Sequence, residues 1–333
     1  MKLLIILLII LFVLFVLVTI IGFFEPKFLK ITFASLKKTS IKSIPQNPAS
    51  NEEKEYDRDS FRYVREDYYY KEKYCPFFVG KDNFPSKRRP DGKCRILFFS
   101  DIHAEWCKVK PEAIIAAIEK YKETMEIDAV VFGGDTCNKQ KTSYKGINFF
   151  KTIADYLKAN SIRFMGVTGN HDLVLTEEQI SSCGYINLSD EIVTIEKEPA
   201  IAGGKTVKFN FGGIYDTGRK NRKWLEPNIA SKVKNSDGNE RNILVVHNPD
   251  WILHRDNSNI DYMLSGHFHG GQFCLPFNIQ NYTIRKDKLP RKGVVSGIYD
   301  AFGTEMFISR GVGCIFVPFR LRAFPEITYI EIE

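Results

Sequence analysis

The sequence predicts an α/β protein: two mixed β-sheets in a sandwich flanked by helices, preceded by one transmembrane helix. Three observations carry that expectation. Between residues 95 and 172 short apolar runs alternate with stretches of helical spacing, the pattern of parallel strand–helix–strand units. Beyond residue 190 the apolar runs are of β type and follow one another closely. Ahead of both lies an unbroken apolar stretch long enough to span a bilayer.

That stretch, "LLIILLIILFVLFVLVTIIGFF" over residues 3–24, has only Lys2 and the initial Met before it. A membrane-crossing helix needs about 20 such residues. The apolar part of a cleaved signal peptide spans only about 7–15 and ends at small residues. The exit here, "FFEPK", offers no small-x-small site, so an uncleaved single-pass anchor is expected over residues 1–24. Lys27, Lys30, Lys37, Lys38 and Lys42 follow the span, and the positive-inside bias then places the remaining chain on the cytoplasmic side of the cell membrane. Cysteine usage agrees: seven residues, an odd number with no CxxC pair, suit reduced thiols and argue against a structural zinc site.

Residues 25–93 read as a polar linker or cover segment without clear periodicity, and residues 94–333 as the folded domain. Within the linker, "DRDSFRYVREDYYYKEKY" suits a surface helix or an aromatic flap near lipid headgroups. The apolar content of 44% and charged content of 26% are those of a globular protein. A net charge of +7 fits an anionic substrate or a membrane surface, but the basic residues are scattered and nucleic acid is not expected.

In the domain, "RILFFSD", "DAVVFGGD" and "IRFMGVTGNHD" read as strands separated by helices over 110–125 and 144–160. Their tips, D-I-H, G-G-D and G-N-H-D, fall at strand carboxyl ends, where open α/β sheets place ligands. The second half supplies "EIVTIEKE", "KTVKFNFGGIYD", "NILVVHNPD", "NIDYMLSGHFH", "EMFISRG" and "EITYIEIE", interrupted by a helix around 224–233. Two of these runs also end in histidine, at "HNPD" and "GHFH". Two sheets packed face to face would bring all five strand ends to one rim.

Collected, the tips are Asp101, His103, Asp135, Asn170, His171, His247, His267 and His269, and they contain five of the six histidines. Two imidazoles one residue apart on a glycine-rich turn are most useful when neutral and sharing a cation. Oxygen and imidazole donors without thiolate suit Mn, Fe or Zn.

The ordered set D-x-H, G-G-D, G-N-H-D, a lone His and G-H-x-H resembles the calcineurin-like metallophosphoesterases over roughly residues 95–333. The ending, "HNPD", "GHFHGGQ" and "SRGVGCIFVPFRLRAFPEI", resembles a membrane-anchored bacterial subgroup, some relatives of which hydrolyse the pyrophosphate of UDP-2,3-diacylglucosamine. The resemblance implies a metal-dependent phosphoric ester hydrolase with two divalent ions. Asp101, His103 and His269 would hold the first, Asn170, His247 and His267 the second, and Asp135 would bridge both. Gly133 and Gly134 leave room for the turn that the bridging carboxylate needs. Two such ions, about 3.5–4 Å apart, activate hydroxide and neutralise phosphate oxygens.

By the same resemblance His171 is the leaving-group acid or charge stabiliser, while Asp172 orients a neighbouring group or caps a helix. One position departs from the family's pattern. Asn138 stands where an Asp paired to the catalytic histidine is often found, and a neutral amide supports a charged imidazole less than a carboxylate does. One of Arg310, Arg320 and Arg322 is a candidate phosphate contact, and Gly270, Gly271 and Gln272 shape the rim. The expected substrate is a phosphodiester or pyrophosphate on a phosphorylated small molecule or lipid-linked compound at the membrane. A non-catalytic scaffold of the same fold and a cell-envelope phosphoesterase acting outside the membrane are the competing readings.

Overall fold

The structure is a computed structural model of the 333-residue chain. It describes residues 2–36, 61–63, 68–69, 92–124, 126–199, 204–218, 223–232, 238–275, 279–283 and 285–333. Most of the segment expected as an aromatic flap, together with Lys37, Lys38, Lys42 and Cys75, lies outside the described residues.

Helix α1 (Lys2–Phe24) is apolar after Lys2 apart from Thr19, and from Ile9 onward nearly all its side chains are open to the surroundings. By length and composition it is sufficient to cross a membrane. It gives way at Pro26 to a single 3₁₀ turn, Glu25–Lys27, as expected where proline restricts the preceding backbone.

Strand β1 (Lys30–Leu36) follows immediately, and here the structure departs from the sequence reading, which left these residues in a polar linker. β1 lies parallel to the last strand of the chain, with Thr32 opposite Thr328 and Leu36 opposite Ile332. The strand is hard to see in the sequence because its inward face mixes Thr32 with Ala34 and Leu36. The buried Thr32 hydroxyl is satisfied by the Thr328 hydroxyl at 2.6 Å. Two short strands, β2 (Phe61–Tyr63) and β3 (Tyr68–Tyr69), complete the described part of this segment.

The strand–helix alternation appears as β4 (Cys94–Phe99), α2 (Pro111–Thr124), β5 (Ala129–Phe132), α3 (Ser143–Ala159) and β6 (Arg163–Gly166). Helix α4 (Glu177–Ser181), β7 (Ile186–Asn187), β8 (Val193–Lys197), β9 (Val207–Gly213), β10 (Glu240–Val245) and β11 (Tyr262–Ser265) follow. After the short helices α5 (Gln280–Thr283) and α6 (Lys288–Arg291) come β12 (Gly297–Ala301), β13 (Thr304–Ile308) and β14 (Glu326–Ile332). They form two seven-stranded sheets, ordered β3-β1-β14-β4-β5-β6-β7 and β2-β12-β13-β11-β10-β9-β8. Both are mixed: β4 to β7 run parallel, as do β9, β10, β11 and β13, with antiparallel pairs toward the edges and at β14–β4.

The helix expected around 224–233 is absent among its described residues, which contain only the 3₁₀ turn Asn228–Ser231. Pro227 precedes the turn. The Asn228 side chain is engaged elsewhere, accepting from Gly213 N and donating to Leu188 O, contacts that favour a loop over a helix. Strand β12 also escaped the sequence reading, because its hairpin to β13 turns at Phe302 and Gly303, both at positive φ, and Phe-Gly is an unusual turn pair.

The parallel strands β4, β5, β10 and β11 are covered on both faces, which explains their continuous apolar runs. Ile96 and Phe98 of β4, with Val131 and Met165, meet Phe211, Ile243, Val245 and Phe307 between the sheets. On the other face Leu97 and Phe99 pack under Ile114, Ile118, Phe150 and Ile153 of α2 and α3. A third layer around Trp251, Leu253 and Phe268 covers the outside of the second sheet.

Candidate metal centre

The strand ends meet on one rim. Asp101 and His103 follow β4, Asp135 follows β5, Asn170 and His171 follow β6, His247 follows β10, and His267 and His269 follow β11. The loops are tied to one another across the sheets' ends by Asp101 N–Gly134 O at 2.8 Å, His103 N–Asp135 O at 3.1 Å and Gly266 N–His247 O at 3.1 Å. Asp101, His103, Asp135, His267 and His269 all have positive φ, between 41° and 72°. A non-glycine residue held there costs on the order of 1–3 kcal/mol, and such strain persists where surrounding structure over-determines it. The backbone is bent to aim these side chains.

They converge as two groups. Ligand-type atoms of Asp101, His103 and His269 lie within 4.8 Å of one another, and so do those of Asp135, His247 and His267. His103 Nε2 and His269 Nε2 are 3.1 Å apart, and His269 Nε2 is 3.3 Å from Asp101 Oδ1. His247 Nε2 lies 3.0 Å from Asp135 Oδ2 and 3.2 Å from His267 Nδ1. Asp135 Oδ2 is also 3.4 Å from His103 Nε2, so this carboxylate stands between the groups. All six side chains are buried.

The residues present fit divalent cations. The donors are imidazole nitrogens and carboxylate oxygens facing a common interior, a set that suits borderline and hard metals. Asn170 Oδ1 is buried with no hydrogen-bond partner, an acceptor left open at this rim. Burial pulls His103 down to about 4 and His269 well below the ordinary range, so both rings are neutral as ligands must be. At His247 burial also disfavours charge, but Asp135 and then Asp101 outweigh it and raise the ring to about 10. Asp135 shows the converse: burial is overcome by His247, His103 and His171, which hold it well below the carboxylate range. The field that draws a proton to His247 is the field that retains a cation.

The profile of the calcineurin-like phosphoesterase family matches residues 94–271, just over half of the chain and all five motif blocks. The chain belongs to the calcineurin-like phosphoesterases. It is a metal-dependent phosphoester hydrolase, of a family that binds divalent metals. Among curated relatives it is 28% identical to the metallophosphoesterase YkoQ of Bacillus subtilis, over 76% of this chain and 87% of that one. It is 26% identical to the phosphodiesterase YaeI of Escherichia coli, over 72% and 82%. A metallophosphoesterase of Helicobacter pylori strain J99 is 27% identical over 73% of this chain, which spans 60% of the Helicobacter protein's length. Among solved structures, the calcineurin-like phosphoesterase YfkN of Bacillus subtilis is similar at a TM-score of 0.38 and 15% identity, over 66% of this chain and 82% of that one.

Neighbouring groups orient the candidate ligands, and several of these were invisible in the sequence. His247 Nδ1 meets Gly133 O at 2.8 Å, which turns Nε2 toward Asp135. His267 Nε2 meets Asp287 Oδ1 at 3.2 Å, leaving Nδ1 for the interior. A lone Asp in a polar loop carries no signal of such a role. Gly134, at φ +95°, has no room for a side chain: a Cβ there would come within 2.7 Å of His247 Nδ1.

His171 sits at the edge of the centre. Its backbone N–H donates to Asp135 Oδ1 at 2.8 Å, and its ring meets that of His103 edge-on at 5.0 Å between centroids. Neither expected supporter is arranged to orient it. Asn138 donates to Glu105 from both its backbone nitrogen and its side-chain amide. Asp172 accepts from the backbone nitrogens of Gly169, Asp135 and Thr136, clamping two ligand loops together.

The open cleft above the centre is walled by His171, Gln272, Phe273, Arg285, Ile315 and Phe316 among others. The cleft's arginine is Arg285 and not one of the three expected. Arg320 is fully buried, donating to the carbonyls of Arg310, Gly313 and Ala323. Gln272 pins the rim by pairing both ends of its amide with the Ile315 backbone at 2.9 and 3.0 Å.

Proposed function

We propose that the chain is a single-pass membrane-anchored phosphoesterase that hydrolyses a phosphodiester or pyrophosphate of a membrane-associated substrate. In this reading Asp101, His103 and His269 hold one divalent cation, Asn170, His247 and His267 hold a second, and Asp135 bridges them. The carrying observation is the placement of Asp135 Oδ2 between the two groups, 3.4 Å from His103 Nε2 and 3.0 Å from His247 Nε2. A pair of such cations, Mn, Fe or Zn, supplies a lowered water pKa and neutralises phosphate oxygens. His171, at the mouth of the centre, gives a proton to the leaving oxygen or stabilises its charge. Arg285 adds positive charge to the cleft wall.

The diester preference is supported by the name of the Escherichia coli relative, a phosphodiesterase. The membrane anchor is supported by the length and apolar surface of α1, and the cytoplasmic orientation by the lysines that follow it. The test uses the full chain in detergent, stripped of metal and reloaded with Mn²⁺, with bis-p-nitrophenyl phosphate and p-nitrophenyl phosphate as substrates. Metal-dependent turnover favouring the diester, lost in both Asp135→Asn and His269→Ala, is the expected outcome. A metal-loaded chain that turns over neither compound overturns the reading.

A further inference from the structure

The carboxyl end of α1 is built into the rim of the cleft. Gly22 O accepts from Arg320 N at 3.0 Å, and the buried Glu25 carboxylate accepts from Arg322 N at 2.9 Å. The Phe319 ring lies so close over Gly22 that a Cβ there would come within 2.0 Å of it. Phe319 also meets Phe23 edge-on at 5.4 Å, and Phe273, a cleft-wall residue, at 5.4 Å. The apolar helix is thus joined by direct contacts to the segment carrying Ile315 and Phe316, which Gln272 ties to the histidine turn.

Beside this junction the mouth of the cleft is unusually apolar. Phe316 is 69% exposed and held at a φ of 66°, with its neighbour Val317 also exposed. Leu275, Ile279 and Tyr282 are exposed too, close in the chain to Phe273 and Gln280, which also line the cleft. Phe23, Phe24 and Phe28 continue the apolar surface to the helix end. Lys27 and Lys30 lie over the rings of Phe24 and Phe324, at 4.7 and 3.8 Å from their centroids. Aromatic side chains interleaved with lysine suit the boundary between headgroups and hydrocarbon. Exposed apolar side chains on two stretches that share one cleft mark an interaction surface. Its continuity with a membrane-length helix selects the bilayer as the partner.

We propose that Phe316, Val317, Leu275, Ile279 and Tyr282 form a lip that enters the bilayer interface, so that the cleft opens onto the membrane. Its substrate is then a phosphate ester of an amphiphile whose hydrocarbon stays in the leaflet while the phosphate reaches the centre. This rests on the phosphoesterase reading of the cleft and on α1 as an anchor. The contact itself is measurable without catalysis.

The full chain is reconstituted into phosphatidylcholine–phosphatidylglycerol vesicles with Phe316→Trp or, as a control at an exposed position near the carboxyl end of α3, Lys158→Trp. The emission of each is read against the wild type with its three native tryptophans. Quenching of Trp at position 316 by chain-brominated lipid, with protection from acrylamide, supports the lip, while position 158 shows the reverse. Acrylamide quenching without lipid quenching overturns it. Protection from both quenchers overturns it in favour of a second copy of the chain covering the patch.

A kinetic arm uses Ile279→Ser/Val317→Ser, changes outside the cleft wall. Hydrolysis of hexadecyl p-nitrophenyl phosphate in vesicles falls about tenfold, as expected when a few membrane-buried methylene groups are lost. Hydrolysis of soluble bis-p-nitrophenyl phosphate stays within about twofold of the wild type. Equal rates on both substrates in variant and wild type overturn the lip. A wild type inactive on the soluble diester overturns the phosphoesterase reading and leaves the quenching result standing.

Discussion

Asp287 offers a sharp test of how the centre is organised. Its carboxylate sits 3.2 Å from His267 Nε2 and is mostly buried, with a side-chain exposure of 12%. The bond has one consistent assignment: Nε2 carries the proton and donates, and Nδ1 presents its lone pair toward His247 and Asp135. Asp287→Asn keeps an acceptor but removes the charge that favours this tautomer. Asp287→Ala removes both. Partners of this kind are worth about 10–100-fold in metal affinity, or about 1.4–2.7 kcal/mol. The alanine variant falls toward the upper figure and the asparagine variant toward the lower.

The measurement is calorimetric titration of Mn²⁺ into the metal-stripped full chain in detergent. Arg285 lies 3.6 Å from the other oxygen of Asp287, so Arg285→Ala is run beside them. It changes cleft charge and releases the His267 and Phe268 carbonyls, to which its guanidinium donates, but leaves the His267–Asp287 bond, so affinity falls by less than in Asp287→Ala. The reasoning is refuted if Asp287→Ala binds metal as tightly as the wild type, or if Arg285→Ala reproduces its loss.

Three other outcomes are expected. Gly134→Ala puts a Cβ 2.7 Å from His247 Nδ1 and 2.8 Å from the backbone nitrogen of Gly169, at a φ of +95°. Strain of about 1–3 kcal/mol displaces the Asp135 loop, seen as a depressed melting temperature and metal-dependent turnover at least tenfold down. A fragment beginning at residue 50 lacks β1 and exposes the edge of β14 between Glu326 and Ile332, so it aggregates where the intact chain in detergent stays monodisperse by light scattering. Lys197 is tied to Asp128 at 2.8 Å and Glu126 at 3.0 Å; burial alone would lower its pKa, but these bonds raise it above the ordinary lysine value of 10.5. Its stabilising effect is therefore full below pH 10.5 and lost as pH rises through the folded value. Lys197→Met should lower the unfolding midpoint at pH 8 and flatten its fall across the alkaline range.

Legibility followed the chemistry of each segment. The strands β4, β5, β6, β10 and β11 could be read because both faces are buried and their apolar runs end abruptly in Asp, Asn or His. β1 could not, because a buried threonine satisfied by another threonine 296 residues away looks polar locally. The expected helix near residue 228 failed because an asparagine side chain was committed to two backbone groups of other segments. Candidate ligands were legible as types, since five histidines at strand tips stand out in a chain with six. The residues that orient them were not: Asp287 and the Gly133 carbonyl are common groups made functional by proximity alone.

The sequence by itself determined the family, the order of the motif blocks and the presence of an apolar span, because each rests on local pattern and residue chemistry. Only the tertiary structure decided which donors face one another, since His103 and His269 are 166 residues apart yet meet at 3.1 Å. It also decided that the end of α1 belongs to the rim of the cleft. A helix's apolarity is written in its own residues, but what it packs against depends on Gly22 meeting Phe319 and Glu25 meeting Arg322, pairs separated by 297 positions and brought together by β1 joining β14.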